Sequence, residues 1–253
     1  PSPAPFSPSP VHPQTPHTHA QRLSLLCWWA QMLASVRYSS TVGQRIRGIF
    51  GMKINGYEIA AGAKLAGADL PGADLSDARL AYADLTEADL TEANLSGASL
   101  HSATLTGAKL SMANLNKADL DSVNFARADL TKANLTSSKL VYANLKGADL
   151  TDADLTDADL TSADLDSADL TDADLTGAKL SMATLRDAHL IKANLKGANL
   201  RFASMKGAGL EGAILRGADL TGADLTRADL TGADLDGAKL HKTTMPDGSI
   251  NKP

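Results

Sequence analysis

Leucine recurs at every fifth residue from Leu65 to Leu240, with Phe125 and Met205 as the only replacements. Alanine stands two residues before each of these positions, from Ala63 to Ala238, except at Val123 and Ser138. The chain therefore contains 36 consecutive five-residue units, most of them of the form Ala-(Asp/Asn)-Leu-x-x. A period of five fits no ordinary helix, because at about 100° per residue the leucines would spiral over the whole surface. It fits no flat strand either, because an odd spacing sends successive side chains to opposite faces. Leucine stays on one side only if the chain turns once per unit, which is the mark of a solenoid.

Four such turns close a square. Each coil then takes 20 residues, so that every leucine stacks on the one 20 residues later. About nine coils of four pentapeptides follow, a rod roughly 43 Å long at the spacing of paired strands. Leu and Ala point inward, and the other three residues of each unit point outward. Asp or Asn precedes 23 of the 36 central residues, and their short side chains hydrogen-bond turn backbone. Glycine is common two residues after the central position, as in Gly67, Gly72, Gly97, Gly147 and Gly222, where a turn calls for positive φ.

Segments such as Ala153-Asp154-Leu155-Thr156-Asp157, Ala193-Asn194-Leu195-Lys196-Gly197 and Ala218-Asp219-Leu220-Thr221-Gly222 resemble the pentapeptide-repeat family. The resemblance covers about residues 61–245. It implies an all-β fold, a right-handed quadrilateral β-helix. The family is especially abundant in cyanobacteria, and many of its members have no assigned activity. Some members bind DNA gyrase by mimicking duplex DNA in rod shape and negative charge, and confer quinolone resistance. This sequence departs from that group in having no projecting loop and no C-terminal dimerisation helix.

The chain divides by composition into a leader, 1–51, an N-terminal cap, 52–60, the repeat body, 61–245, and a C-terminal cap or tail, 246–253. Residues 1–57 hold no acidic residue, five basic ones (Arg22, Arg37, Arg45, Arg47, Lys53) and seven of the ten prolines. From residue 61 on, 28 of the 29 acidic residues face 19 of the 24 bases. The overall charge of −5 thus hides a basic leader and an acidic body. The apolar stretch from Leu23 to Val36 is too short to span a membrane. With the Arg- and Ser-bearing sequence around it, it resembles an organelle presequence that ends near Arg37-Tyr38-Ser39-Ser40. The other reading is that residues 1–51 are not native coding sequence and Met52 is the start. The first reading places the protein in a mitochondrion or plastid, the second in the cytoplasm. Ile54, Tyr57 and Ile59 are expected to fold over the first coil, and Ile250 to cover the last.

Cys27 is the only cysteine, so no disulfide forms within the chain and no thiolate metal site exists. His101, His189 and His241 are scattered, and no nucleophile set or phosphate loop is present. No cofactor and no metal are expected, and the chain reads as non-enzymatic. Three outward surfaces emerge once positions are sorted by their place in the coil. Asp149, Asp152 and Asp154 stack beneath Asp169, Asp172 and Asp174 in an acidic belt. Arg186, Lys192, Lys196, Lys206 and Arg216 form a basic zone. Tyr82, Tyr142, Met182 and Phe202 share one column, with Val141 and Arg201 beside it. Exposed aromatics and Arg are typical of binding hot spots, which makes that column the expected docking edge. The expectation is a rigid scaffold for a protein partner, with the gyrase-binding DNA mimic as the alternative. Direct nucleic-acid binding and a membrane span are not expected. The expected routes to self-association are the coil ends and the opposite charge bands.

Overall fold

A complete account of the backbone N–H groups in one pentapeptide explains the architecture. The computed structural model describes residues 52–251, all within one unit, Gly48–Pro253. In the unit 134–138, Leu135 N donates to Asp154 O at 2.7 Å and Ser137 N to Thr156 O at 2.9 Å, both one coil ahead. Asn134 N donates to Ala113 O at 2.9 Å, one coil behind, and Ser138 N closes the turn on Leu135 O at 3.0 Å. Thr136 N has no backbone acceptor, and Asn134 Oδ1 accepts it at 3.0 Å. Every N–H in the unit is paired, as the interior of a protein requires. Asp and Asn recur before Leu because they supply the one acceptor the backbone lacks.

Parallel bridges repeat this pairing from Lys64↔Asp84 to Asp224↔Thr244, always over 20 residues. Four pentapeptides therefore make one coil, with four sides and four turns. The sides carry the columns that begin at Lys64, Asp69, Asp74 and Arg79; the corners carry the turns that begin at Ala61–Gly62, Ala66–Gly67, Pro71–Gly72 and Ser76–Asp77. The second turn residue has positive φ whether or not it is glycine: Gly147 lies at 63°, Lys132 at 57° and Ser137 at 56°. Outside such a ladder a left-handed non-glycine residue costs roughly 1–2 kcal/mol. Here the two turn hydrogen bonds hold it in place. The positive φ expected from the glycines thus extends to Asp, Lys, Arg, Tyr and Phe.

Leu65 and every central residue from Leu70 to Leu225 are buried, Phe125 and Met205 included. Ser138, which replaces a core alanine, donates its hydroxyl to Leu135 O at 2.7 Å and so leaves no buried polar group unpaired. At the N-terminal end, β1 (Met52–Ile54) pairs antiparallel with β2 (Tyr57–Ile59). Asn55 and Gly56 join them, with φ of 50° and 86°, the left-handed pair that suits a tight hairpin. Asn55 Nδ2 donates to Asp69 O at 3.3 Å and Asp69 N to the Tyr57 hydroxyl at 3.4 Å, while Met52, Ile54, Tyr57 and Ile59 pack on the core.

The C-terminal end differs from expectation. Met245 N donates to Ser249 O at 2.7 Å, so the tail turns back and Ile250 pairs antiparallel with Thr244. Ile250 therefore runs along one side of the last coil and stays 60% exposed instead of covering the axis. Leu230, Leu235 and Leu240 remain only partly buried there. The leader, with its presequence reading, lies outside the described residues. No helix among the described residues is long and apolar enough to cross a membrane.

Units that lack Asp or Asn before the central residue need another acceptor. In the unit of Thr184, Arg186 N donates instead to Asp166 Oδ1, one coil below, at 3.0 Å. Asp166 is 6% exposed and also accepts the Arg186 guanidinium at 3.0 and 2.5 Å. Burial pushes its carboxyl up, but the Arg186 side-chain and backbone hydrogen bonds outweigh this and hold it below its ordinary value. Asp121 does the same for Val141 N at 3.0 Å.

Two predictions follow from these turns. Arg186→Ala leaves the buried Asp166 carboxylate without its cation and should lower the thermal midpoint by roughly 2–4 °C. Asp166→Thr combined with Arg186→Thr, the residue found elsewhere in that column, should recover part of the loss in a double-mutant cycle. The second prediction concerns acid. Hydrogen bonds from Thr86 and Thr91 hold the Asp84 and Asp89 carboxyls below the usual value of 3.8. At Asp159 and Asp169 burial opposes the shift, and the Thr161 and Thr171 hydrogen bonds overcome it. A lowered folded pKa contributes stability that is present in full above the unfolded value and lost as pH falls through the folded one. The midpoint should stay level from about pH 7 to 5 and fall below about pH 4. Asp159→Asn with Asp169→Asn should flatten that fall in circular dichroism melts.

Candidate docking surface

The expected docking edge is a corner of the coil. Gly62, Tyr82, Ser102, Ser122, Tyr142, Ser162, Met182, Phe202, Gly222 and Lys242 occupy its second turn position, each 20 residues from the next. The four large apolar side chains are 57–69% exposed. Their backbone is already committed to the ladder: Tyr142 N donates to Thr161 O at 3.1 Å and Phe202 N to Thr221 O at 3.0 Å. Recognition at this edge therefore falls to side chains. From Gly62 to Gly222 the column holds no charge, whereas the other three corners carry Glu87 and Arg127, Glu92 and Lys132, and Asp77 and Lys117 at the equivalent position. The neighbouring turn position is uncharged over Val141, Thr161 and Ser181.

Some of these side chains have partners within the chain. Tyr82 meets His101 edge-on, with ring centroids 5.0 Å apart. The Arg201 guanidinium lies over the Phe202 ring at 5.5 Å and also reaches Asp219 at 3.5 Å. The Phe202 ring leans over Gly222, where an added β-carbon would come within 2.6 Å of it. Tyr142 and Met182 have no such partner among the described residues. Two further exposed apolar residues, Met112 and Ile214, lie elsewhere and were missed by the sequence reading. Sorting by column would have found them: Met112 sits between Glu92 and Lys132, and Ile214 interrupts a row of Asp and Asn.

The acidic residues gather about the diagonally opposite corner. Asp149 pairs with Asp169 on one side of it and Asp154 with Asp174 on the other, while Asp152 and Asp172 occupy the corner itself. Four of the six are working parts of the turns. Asp149 Oδ1 accepts Thr151 N at 3.0 Å, Asp154 Oδ1 accepts Thr156 N at 2.9 Å, and Asp169 and Asp174 accept Thr171 N and Thr176 N at 2.9 Å. Among the described residues no group of three His, Cys, Asp or Glu side chains is arranged to hold a metal ion.

The basic residues form a girdle rather than a patch. Arg186 and Lys206 stack on one corner, Lys196 and Arg216 on the corner diagonally opposite, and Lys192 on a third. Most are paired: Arg186 with Asp166 at 2.5 Å, Lys206 with Asp224 at 3.2 Å, and Arg216 with Asp236 at 2.8 Å and Asp234 at 3.8 Å. Lys192 and Lys196 make no ion pair among the described residues. Intramolecular pairing thus takes up much of the positive charge.

Comparisons with known proteins agree with this geometry. The family model of pentapeptide repeats matches residues 61–97, 98–136, 128–166, 168–207 and 203–241. Among solved structures, the chain is 34% identical to HetL, a pentapeptide repeat protein involved in heterocyst differentiation regulation from the cyanobacterium Nostoc sp., over 85% of this chain and all of HetL, with a TM-score of 0.30. It is 39% identical to a pentapeptide repeat protein of the Arabidopsis thaliana thylakoid lumen over 42% of this chain and 68% of that one, with a TM-score of 0.23. A trypsin-treated form of QnrB1, a plasmid-mediated fluoroquinolone resistance protein, is 21% identical over 72% of this chain and 92% of its own, with a TM-score of 0.56, a likeness of fold. The search of curated proteins found no match. A tandem match along the body and a coil of four pentapeptides place the chain in the pentapeptide-repeat family, whose fold is the right-handed quadrilateral β-helix.

Proposed function

We propose that the chain is a non-enzymatic, rigid β-helical scaffold that docks a protein partner along the corner of Tyr82, Val141, Tyr142, Met182, Arg201 and Phe202. The observation that carries this reading is the absence of charge at the second turn position of that corner from Gly62 to Gly222, on a body otherwise rich in Asp and Lys. Interface cores are depleted of charge and enriched in aromatic residues, Met and Arg. A corner whose second-turn N–H groups from Gly62 to Gly222 all donate to the next coil cannot easily reshape, so the edge meets its partner already ordered.

Affinity capture with the full chain should lose its specific partner when Tyr142 and Phe202 are both changed to Ser. Serine already occupies this turn position at Ser102, Ser122 and Ser162, so the fold tolerates the change. An unchanged set of captured proteins would sink the edge as a docking site.

The acidic corner supports a DNA-mimic reading less well. Turn amides occupy Oδ1 of Asp149, Asp154, Asp169 and Asp174, and the basic girdle interrupts the negative surface. In a gyrase supercoiling assay, the chain should neither inhibit the enzyme nor protect it from a quinolone.

A further inference from the structure

We infer that the occupant of the uncharged corner is a second copy of this chain, laid antiparallel along the same edge. The inference rests on the reading of that corner as a docking edge and names its partner. The argument is one of order along the column. Its large and small residues are ordered so that from Tyr82 to Gly222 the column complements itself when reversed. A two-fold axis between Tyr142 and Ser162, perpendicular to both rods, sets Tyr142 against Ser162 of the second copy. The same rotation sets Met182 against Ser122, Phe202 against Ser102 and Tyr82 against Gly222. Each large side chain thus meets a small one, and each such contact occurs twice, as a closed isologous interface requires. Tyr82 leans toward the level of His101 and Phe202 toward that of Gly222. The two rings therefore reach neighbouring levels at each end of the seam.

The row that flanks the seam supplies an independent check. Under this rotation a side meets its own counterpart, so the row from Arg79 to Lys239 faces itself reversed. Lys139 then stands opposite Asp159, Asp119 opposite Lys179, Arg79 opposite Asp219, and Ser99 opposite Asn199. Sliding one copy by a single coil destroys both patterns together. In one direction Tyr142 meets Tyr142, Lys139 meets Lys139 and Asp119 meets Asp159. In the other Tyr142 meets Met182, Asp159 meets Asp159 and Lys139 meets Lys179. Charge arrangement of this kind fixes register and excludes wrong pairings. The second flanking row is uncharged over Thr104, Asn124 and Asn144, facing Ser204, Thr184 and Asp164. It carries one unfavourable pair, Asp84 with Asp224, which Lys206 offsets from 3.2 Å. The seam from Tyr82 to Gly222 is about 34 Å long at the coil spacing and one corner wide. That narrow footprint is of the kind found in weak, transient interfaces, so the dimer should be concentration-dependent.

The test uses the full chain in sedimentation velocity over a concentration series. Asp119→Lys and Lys179→Asp should each weaken the dimer about tenfold or more, and the two changes together should restore it to within about twofold. Circular dichroism confirms that each variant is folded. A second arm uses Ser122→Cys with Met182→Cys in a Cys27→Ser background. Within one chain these positions lie three coils apart, about 14 Å, beyond the ~7 Å reach of a disulfide. Oxidation should therefore yield a covalent dimer, and Ser122→Cys alone should yield none. A chain that stays monomeric at all concentrations, a dimer indifferent to the charge reversals, or cross-linking by Ser122→Cys alone would overturn the inference. A monomer whose captured partner still depends on Tyr142 and Phe202 would overturn only the second copy and leave the docking edge standing.

Discussion

The pairing of each coil with the next, 20 residues on, is the constraint from which the rest of the structure derives. Leu65 N bonds to Asp84 O at 2.6 Å, and the same bond recurs side after side along the rod. Because the ladder fixes the path, the inward positions see nearly the same space in every coil, and Leu and Ala repeat to fill it. The two enlargements, Val123 and Phe125, fall in one unit and are both fully buried; the structure shows no smaller neighbour that offsets them. Each coil is held by the coils on either side of it. Stability is accordingly least at the ends, where Leu230, Leu235 and Leu240 lose part of their cover.

The ladder also explains why so many charges have so little freedom. It leaves one amide per unit without a backbone acceptor, and the Asp or Asn before the central residue takes that amide. In two units where that residue is absent, a carboxylate from the coil below substitutes, as Asp166 does for Arg186 and Asp121 for Val141. Where no substitute exists the turn is poorer. Gly209 offers no side chain, and Glu211 folds back over it with Oε2 buried and unpaired. An unpaired carboxylate oxygen is unfavourable, so this unit marks a local weakness rather than a reserve of chemistry.

Much of this was legible in the sequence. The five-residue period demanded a turn per unit, and the stacking of Asp149 on Asp169 followed from four units per coil. The division of labour among outward residues was not legible. Periodicity shows that Asp154 points outward but not that its Oδ1 is bound to Thr156 N, since the missing amide acceptor becomes visible only when every donor is traced. The same holds for the basic zone: Arg186, Lys206 and Arg216 read as free cations until the neighbouring coil brings Asp166, Asp224 and Asp236 within reach. Ile250 was misjudged because apolar character suggested a cover, whereas the turn after Met245 directs the tail along a side. The Asn55-Gly56 hairpin was legible and overlooked, although Asn-Gly is among the strongest short turn signals.

These constraints narrow where recognition can act. Inward positions are occupied by the core. Asp or Asn before the leucine is tied to a turn amide in most units, and the first turn residue is mostly half-buried. The second turn residue is exposed in most units and open to any side chain, because the ladder imposes its left-handed backbone regardless, from Gly147 at φ 63° to Tyr142 at 58°. The molecule therefore has four rows of freely variable sites, one per corner. Three of them mix charges of both signs with small residues, as solvated surface does. The fourth excludes charge over eight successive coil steps from Gly62 to Gly222 and holds all three exposed aromatic side chains of the described repeat. The fold makes no demand that could explain this exclusion, since Lys132 and Asp152 occupy the equivalent turn conformation at another corner. This bias, which neither backbone nor core requires, is the observation on which the proposed docking edge rests, since a contact surface would call for both the missing charge and the aromatic rings.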